Sequence, residues 1–252
     1  MVKLSDLIRF CDQYLEIDKI PDSSYNGLQV EGKEEVNKIA LGVSCNEKLF
    51  QEAKKKECEL ILTHHGLLWN KRWQYLRGFQ KKRIKFLFDN NISLATYHLP
   101  LDLHSEIGNN VLGLQRLGVK RKGGFGNYNG FNIGYWGVLE SKISFDKFLE
   151  RVNKIYSAKS YHVRGGKMMI ETVAIVSGGA RTYLEEAIDK EIDVYITGET
   201  NESVPALCIE GEMNFIAPGH YNTEKFGVWA LGELLETKFD IKTEFIDIPN
   251  NL

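Results

Sequence analysis

IALGVSCNEKLFQEAKKKECELILTHH, residues 39–65, begins with a β-rich apolar run and a polar turn. A segment with apolar residues at helical spacing follows, and then a second apolar run that ends in two histidines. That order is a βαβ-like unit, the building block of an α/β sheet. The same order recurs in VAIVSGGARTYLEEAIDKEIDVYITGE, residues 173–199, which aligns with the first copy without a gap at an offset of 134. Identities fall at Ala40/Ala174, Glu52/Glu186, Ala53/Ala187, Lys56/Lys190, Glu57/Glu191 and Thr63/Thr197. Because α/β units also resemble one another by composition, duplication is an expectation that the register of the two copies must decide.

The match extends outward. A further short apolar run follows each copy, ISLATYH at 92–98 and NFIAPGH at 214–220, and each ends in a histidine with a carboxylate four residues later. These pairs are His98 with Asp102 and His220 with Glu224. Helical patterns at 4–15 and 143–156 are a weaker third correspondence. GGFGNYNGFNIG (123–134), rich in Gly and Asn, marks the expected boundary between a first α/β lobe, 1–126, and a second, 127–252, with the C-terminal segment free to pack back on the first.

Composition bounds the function. The chain has 252 residues, 43% hydrophobic and 26% charged, with a formal net charge of −2, so nothing draws it as a whole to nucleic acid or an anionic membrane. The stretch 71–87 is locally basic and reads either as a solvated helix face or as a phosphate-binding rim. No run approaches the length of a membrane span, and the amino end, with Asp6, Arg9 and Asp12 in its apolar pattern, reads as an amphipathic helix rather than a signal peptide. A cytoplasmic protein is expected. Its four cysteines lack CxxC spacing, which argues for reduced structural thiols and against a thiolate zinc site.

Ligands of open α/β sheets collect beyond the carboxyl ends of the strands, where the loops diverge. His64, His65, His98, Asp102, His220 and Glu224 all fall at such ends. One histidine after a strand is most often structural, but six imidazole and carboxylate groups at equivalent ends point to metal. Adjacent strand side chains diverge, so His64 and His65 are expected to serve two neighbouring ions rather than one. Imidazole and carboxylate without thiolate suit Zn, Mn, Fe or Ni and do not choose among them. Two such ions would activate water and polarise the bond it attacks, which is hydrolytic chemistry.

SYNGLQVEG (24–32), LTHHGLLW (62–69), YHLPLDLHSEIGNN (97–110), ITGE (196–199), APGHYNTEKFG (217–227) and FIDIPN (245–250) together resemble the dinuclear-metal-centre family of Nif-three-like proteins, the GTP cyclohydrolase 1 type 2 homologues. These segments occur in the family's order over nearly the whole chain. The resemblance implies two interlinked, similar α/β lobes, each a central sheet flanked by helices, with the metals in the cleft between them and six chains in a ring. It also implies His64, His65, Asp102, His220 and Glu224 as ligands of two divalent ions, with Glu224 bridging, and places His98 beside the site, either supporting the ligands or transferring protons.

The enzyme reading is hydrolytic opening of the guanine imidazole ring of GTP. His98 or Glu199 would move protons, while Lys71, Arg72 and Arg164 would hold the triphosphate. Tyr25 and Asn26 would shape the base pocket, although Asn-Gly is also an ordinary turn. Two alternatives stand beside it. One is a metal-dependent phosphoesterase or damaged-nucleotide hydrolase, with the basic stretch lining a channel for nucleotide or nucleic acid. The other is a non-catalytic metal-binding ring scaffold.

Overall fold

The computed structural model describes residues 1–70 and 75–250. It is a mixed α/β protein whose two main sheets are flanked by helices, and it divides into two compact units. The first comprises Met1–Leu101 and Gly227–Ile248, and the second Asp102–Phe226 with the last residues of the chain.

In the first unit the strands are β1 (Val2–Lys3), β2 (Gly27–Val30), β3 (Glu35–Val36), β4 (Lys38–Ser44), β5 (Leu60–His65) and β6 (Ser93–Thr96). β1 and β3 form a two-residue antiparallel ribbon. β4, β5 and β6 are parallel neighbours, and their side chains are buried almost throughout, as continuous apolar runs such as LILT and SLAT require when both faces of a sheet are covered. The connection from β4 to β5 is the helix Glu47–Lys55, capped at its start by Asn46, whose side chain accepts from Leu49 N at 2.9 Å. Phe50 and Ala53 bury that helix against Ile61 and Leu94 of the sheet.

The second unit holds β7 (Val119–Tyr128), β8 (Phe131–Ser144), β9 (Tyr161–Arg164), β10 (Met169–Ile175), β11 (Val194–Ile196) and β12 (Asn214–Ala217), in the order β7-β8-β10-β11-β12-β9. Its centre is again three parallel strands, β10, β11 and β12. The chain then returns to the first unit, where β13 (Lys242–Phe245) pairs in parallel with β4 and completes the order β13-β4-β5-β6-β2. Within the first unit, the helix carrying Gly232 lies so close to the sheet that a Cβ there would sit 2.2 Å from Leu41 Cδ1.

The register settles the duplication. Ile39 pairs with Leu60 in the first unit and Val173 with Val194 in the second, each residue displaced by the same 134 positions. Two of the six identities, Lys56/Lys190 and Glu57/Glu191, are helix ends: Lys56 and Lys190 are the C-caps, and Glu57 (φ 57) and Glu191 (φ 52) are left-handed. Cys58 N and Ile192 N then donate back to the carbonyls of Ala53 and Ala187, at 3.0 Å in both copies, which is the Schellman closure.

The Gly/Asn-rich stretch at 123–134 is not a linker. It is the β7–β8 hairpin, turned by Asn129 and Gly130, both at positive φ, with Tyr128 paired to Phe131. Two-residue Asn-Gly turns match the twist of the strands they join, so the composition that suggested a boundary marks a hairpin inside the second unit. The compact units part at Leu101 and Asp102 instead, which puts Asp102 in the second unit. All four cysteines are buried and free, and among the described residues no helix is long and apolar enough to cross a membrane.

Candidate functional site

In the first unit, β5 delivers His64 and His65 at its carboxyl end, and the loop after β6 delivers His98. Each offers a ring nitrogen, and the three nitrogens lie within 4.8 Å of one another. The two adjacent imidazoles do not diverge as neighbours in a regular strand would: their ring centroids are 4.8 Å apart. His65 is the last residue of the strand, and its Nδ1 meets Ser44 Oγ at 3.1 Å.

Each ring is held from behind. His64 Nδ1 lies 2.9 Å from the Tyr97 carbonyl, which only accepts, so this nitrogen carries the proton and Nε2 is the basic one. His98 Nδ1 lies 2.9 Å from Asp22 Oδ1. Asp22 is itself over-determined, with a side chain only 2% exposed that also accepts from Ser24 N, Asn26 Nδ2 and Leu99 N. Burial raises its pKa, but the imidazole and these donors outweigh burial and hold the carboxyl down at about 2. Asn26 is part of the same brace: its Nδ2 serves Asp22, and its Oδ1 accepts from His98 N at 2.7 Å. Gln29 pins the loop after the histidines, accepting from Leu67 N and Leu68 N. A Cβ on Gly66 would strike that Gln29 amide at 2.5 Å, which is why glycine follows the pair. Trp69 stands edge-on to His98 with 5.0 Å between centroids.

The second unit brings together Asp102, His220, Glu224 and Glu199. Asn109 Nδ2 and Ser177 Oγ both donate to Asp102 Oδ1, at 2.8 and 2.9 Å. Carboxylate oxygens of Asp102 and Glu224, residues 5% and 2% exposed, lie within 4.8 Å of each other. His220 stands with Nδ1 2.5 Å from Glu199 Oε1 and Nε2 3.1 Å from Glu224 Oε1. Burial works against a charged imidazole, yet Glu224 and Glu199 outweigh it and raise the His220 pKa to about 9. Gly178, at φ +68, makes room: a Cβ there would lie 2.4 Å from Glu224 Oε1 and 3.2 Å from His220 Nε2.

These residues fit divalent metal. Two buried carboxylates this close repel unless a cation joins them. The histidines present imidazole with Nδ1 held by oxygen, the arrangement that orients a metal-binding ring and raises its basicity. Without thiolate, the donor set suits Zn, Mn, Fe or Ni alike.

The remaining expected residues scatter. Glu199 is on the site, set against His220. Tyr25 is 55% exposed. Arg164 sits on β9 opposite Asn214, the end of β12 remote from His220, where it pairs with Asp146 and lies over the Phe145 ring. Lys71 and Arg72 lie outside the described residues. Sequence reading passed over Asp22, Ser44, Asn109 and Ser177. Ser44 and Ser177 lie in the two repeated stretches and Asn109 in 97–110, but a lone Asp, Ser or Asn carries no spacing signal.

The sequence pattern of the Duf34/NIF3 (NGG1p interacting factor 3) family matches residues 2–251. A protein of Archaeoglobus fulgidus named "GTP cyclohydrolase 1 type 2 homolog" is 39% identical, with all of both chains covered. A solved structure of protein ybgI superposes with a TM-score of 0.94 at 32% identity, and that of TTHA1606 from Thermus thermophilus with 0.91 at 34%, each over the whole of both chains.

Proposed function

Because this chain belongs to the Duf34/NIF3 family, we propose that it is a dinuclear, divalent-metal-dependent hydrolase of the GTP cyclohydrolase type. The observation that carries the reading is the common posture of four histidines: His64, His65, His98 and His220 each have Nδ1 against an oxygen. His64, His65, Asp102, His220 and Glu224 would hold the ions. Bound ions would lower the pKa of water and polarise the bond under attack.

The protein's own groups do the rest. His98, backed by an Asp22 carboxylate that stays ionised, accepts a proton at Nε2 from the attacking water and returns it to the leaving nitrogen. Glu199 fixes the orientation of His220 through Nδ1. With GTP, the substrate class in the relatives' name, one water adds at C8 and opens the imidazole ring to a formamide. A second water cleaves that C–N bond to release C8 as formate and leave a free amine, which condenses with the rearranged ribose carbons and expels one water. The remaining triphosphate recloses to a dihydroneopterin-type product.

The test is formate release from GTP by protein supplied with Mn, Zn, Fe or Ni, alongside elemental analysis for two equivalents of metal per chain. Phosphate release without formate would replace ring opening with phosphoester hydrolysis. Full metal occupancy with neither product would leave a metal-binding scaffold. Six chains in a ring belong to the same reading, and light scattering should return six times the 28.8 kDa chain mass.

A further inference from the structure

At the amino ends of β4 and β5, the opposite end of the first unit's sheet from His64 and His65, lies a cavity of about 830 Å³. Five lysines line it, Lys33, Lys38, Lys54, Lys56 and Lys242, against three carboxylates, Glu57, Glu59 and Asp240. The second unit carries the same feature in reduced form, and the internal repeat makes the two directly comparable.

Lining residues Lys33, Glu57, Cys58 and Glu59 of the first cavity correspond, 134 positions on, to Lys167, Glu191, Ile192 and Asp193 of the second. The floor is built alike. Glu59 Oε2 accepts from Asn37 N and Lys38 N, and Asp193 Oδ2 accepts from the equivalent Glu171 N and Thr172 N. A carboxylate clamp on two amides is therefore the structural purpose common to both copies.

Above that floor the copies part. The second cavity has shrunk to about 200 Å³, with Ile188 where the first has Lys54, and its lysine, Lys167, is drawn onto Asp193 at 2.7 Å. The first stays open. Lys33 stands 3.8 Å from Glu59, while Lys38 and Lys56 are both anchored on Glu244, which is not part of the lining. Among the described residues neither Lys54 nor Lys242 has an ion pair. With Glu244 counted, five ammonium groups stand against four carboxylates, and nothing in the shared scaffold requires that positive excess around an open cavity.

We infer that this cavity binds a compact phosphate polyanion, at a place separate from the histidine groups. Its volume falls in the range of small-ligand pockets. Among the described residues its side-chain cations are lysines, flexible point charges suited to phosphate oxygens, and its lining has neither an arginine fork nor an aromatic ring on which a base would stack. Recognition is thus of the phosphates, whether they arrive as inorganic triphosphate or as the tail of a nucleoside triphosphate. None of its lining residues belongs to any candidate metal group, so failure of the proposed hydrolysis and failure of this binding are separable.

The experiment is calorimetric titration of the full-length protein at low ionic strength with inorganic triphosphate, GTP and citrate. Lys54→Glu with Lys242→Glu should weaken triphosphate by about tenfold or more and GTP to a similar degree, because the pair of changes reverses two positive charges facing the cavity at low ionic strength. Lys120→Glu with Lys122→Glu, an equal charge change on β7, should leave both unchanged, and matching thermal midpoints would show that all variants fold. Absence of triphosphate binding at millimolar concentration would overturn the assignment. So would equal losses in the two double variants, or citrate binding as tightly as triphosphate.

Discussion

The two copies of the βαβ unit agree in their middles and differ at both ends. Strand register, the helix C-cap, the left-handed glutamate and the carboxylate clamp repeat residue for residue over the offset of 134. At the carboxyl ends, His64 and His65 of the first copy stand where the second has Gly198 and Glu199. Gly198 has no room for a side chain, since a Cβ would lie 2.5 Å from the His220 Cα. In the second unit the imidazole therefore comes from beyond the next strand, and the Glu199 position supplies the carboxylate that orients it. A duplicated scaffold holds its geometry through backbone-satisfying contacts, while chemistry is rewritten where those contacts stop.

The largest expected effect lies at the carboxyl ends. Glu224→Gln keeps the shape but removes a buried negative charge, so at least one of the two expected equivalents of metal should be lost and GTP-dependent formate release with it. Retained metal and full turnover would show that the second unit's carboxylates are not ligands. Next comes Asp22→Asn, which leaves the fold of the brace but weakens its hold on His98. Loss of such a supporting partner typically costs about 10–100-fold in metal affinity or activity. Here turnover should fall in that range while bound metal changes little, and equal loss of both would make His98 a ligand.

How much of this was legible follows from what periodicity reports. Apolar runs at residues 39–43 and 60–63, and their copies, predict buried parallel strands because both sheet faces are covered, and a histidine ending such a run is conspicuous. The five expected ligands, with His98 and Glu199, accordingly fall into the two clusters described above. Loops carry no such period. Asp22 reaches His98 across 76 positions and Ser177 reaches Asp102 across 75, and no local pattern announces either. The Asn-Gly turn shows the opposite failure: its composition suggests a seam, although flanking strand-formers make the same dipeptide a hairpin signal. Arg164 offers the sequence only its charge, which Asp146 takes up.

At the amino ends the clamp offers a stability test. Burial raises the Asp193 pKa, but Lys167 and the amides of Thr172 and Glu171 outweigh it and hold the carboxyl below its ordinary value. A depressed folded-state pKa contributes stability that is present above the unfolded carboxyl value and lost as pH falls through the folded one. Asp193→Ala should thus cost about 2–3 kcal/mol at neutral pH, two amides losing a charged acceptor. Its deficit relative to the parent should shrink as pH falls below about 4. Glu59→Ala should cost less, because Lys33 stands farther away and, among the described residues, no second cation pairs with it. Urea unfolding of both variants at neutral and acid pH makes the comparison, and a larger loss at Glu59 would reverse it.

The smallest effect expected is at the paired helix ends, where both copies keep a glutamate in the left-handed region. A side chain costs roughly 1–2 kcal/mol in that conformation. Glycine avoids the cost but loses about 0.5–1 kcal/mol through the freedom of its unfolded chain. Glu191→Gly should therefore raise stability by about 0.5 kcal/mol, the small difference between the two effects. Glu191 has no ion pair among the described residues to offset that gain. If thermal unfolding shows a clear loss instead, the identity at Glu57 and Glu191 reflects a side-chain interaction rather than a shared backbone closure. The Lys-Glu pair would then cease to be evidence that the closure itself is what the repeat retains.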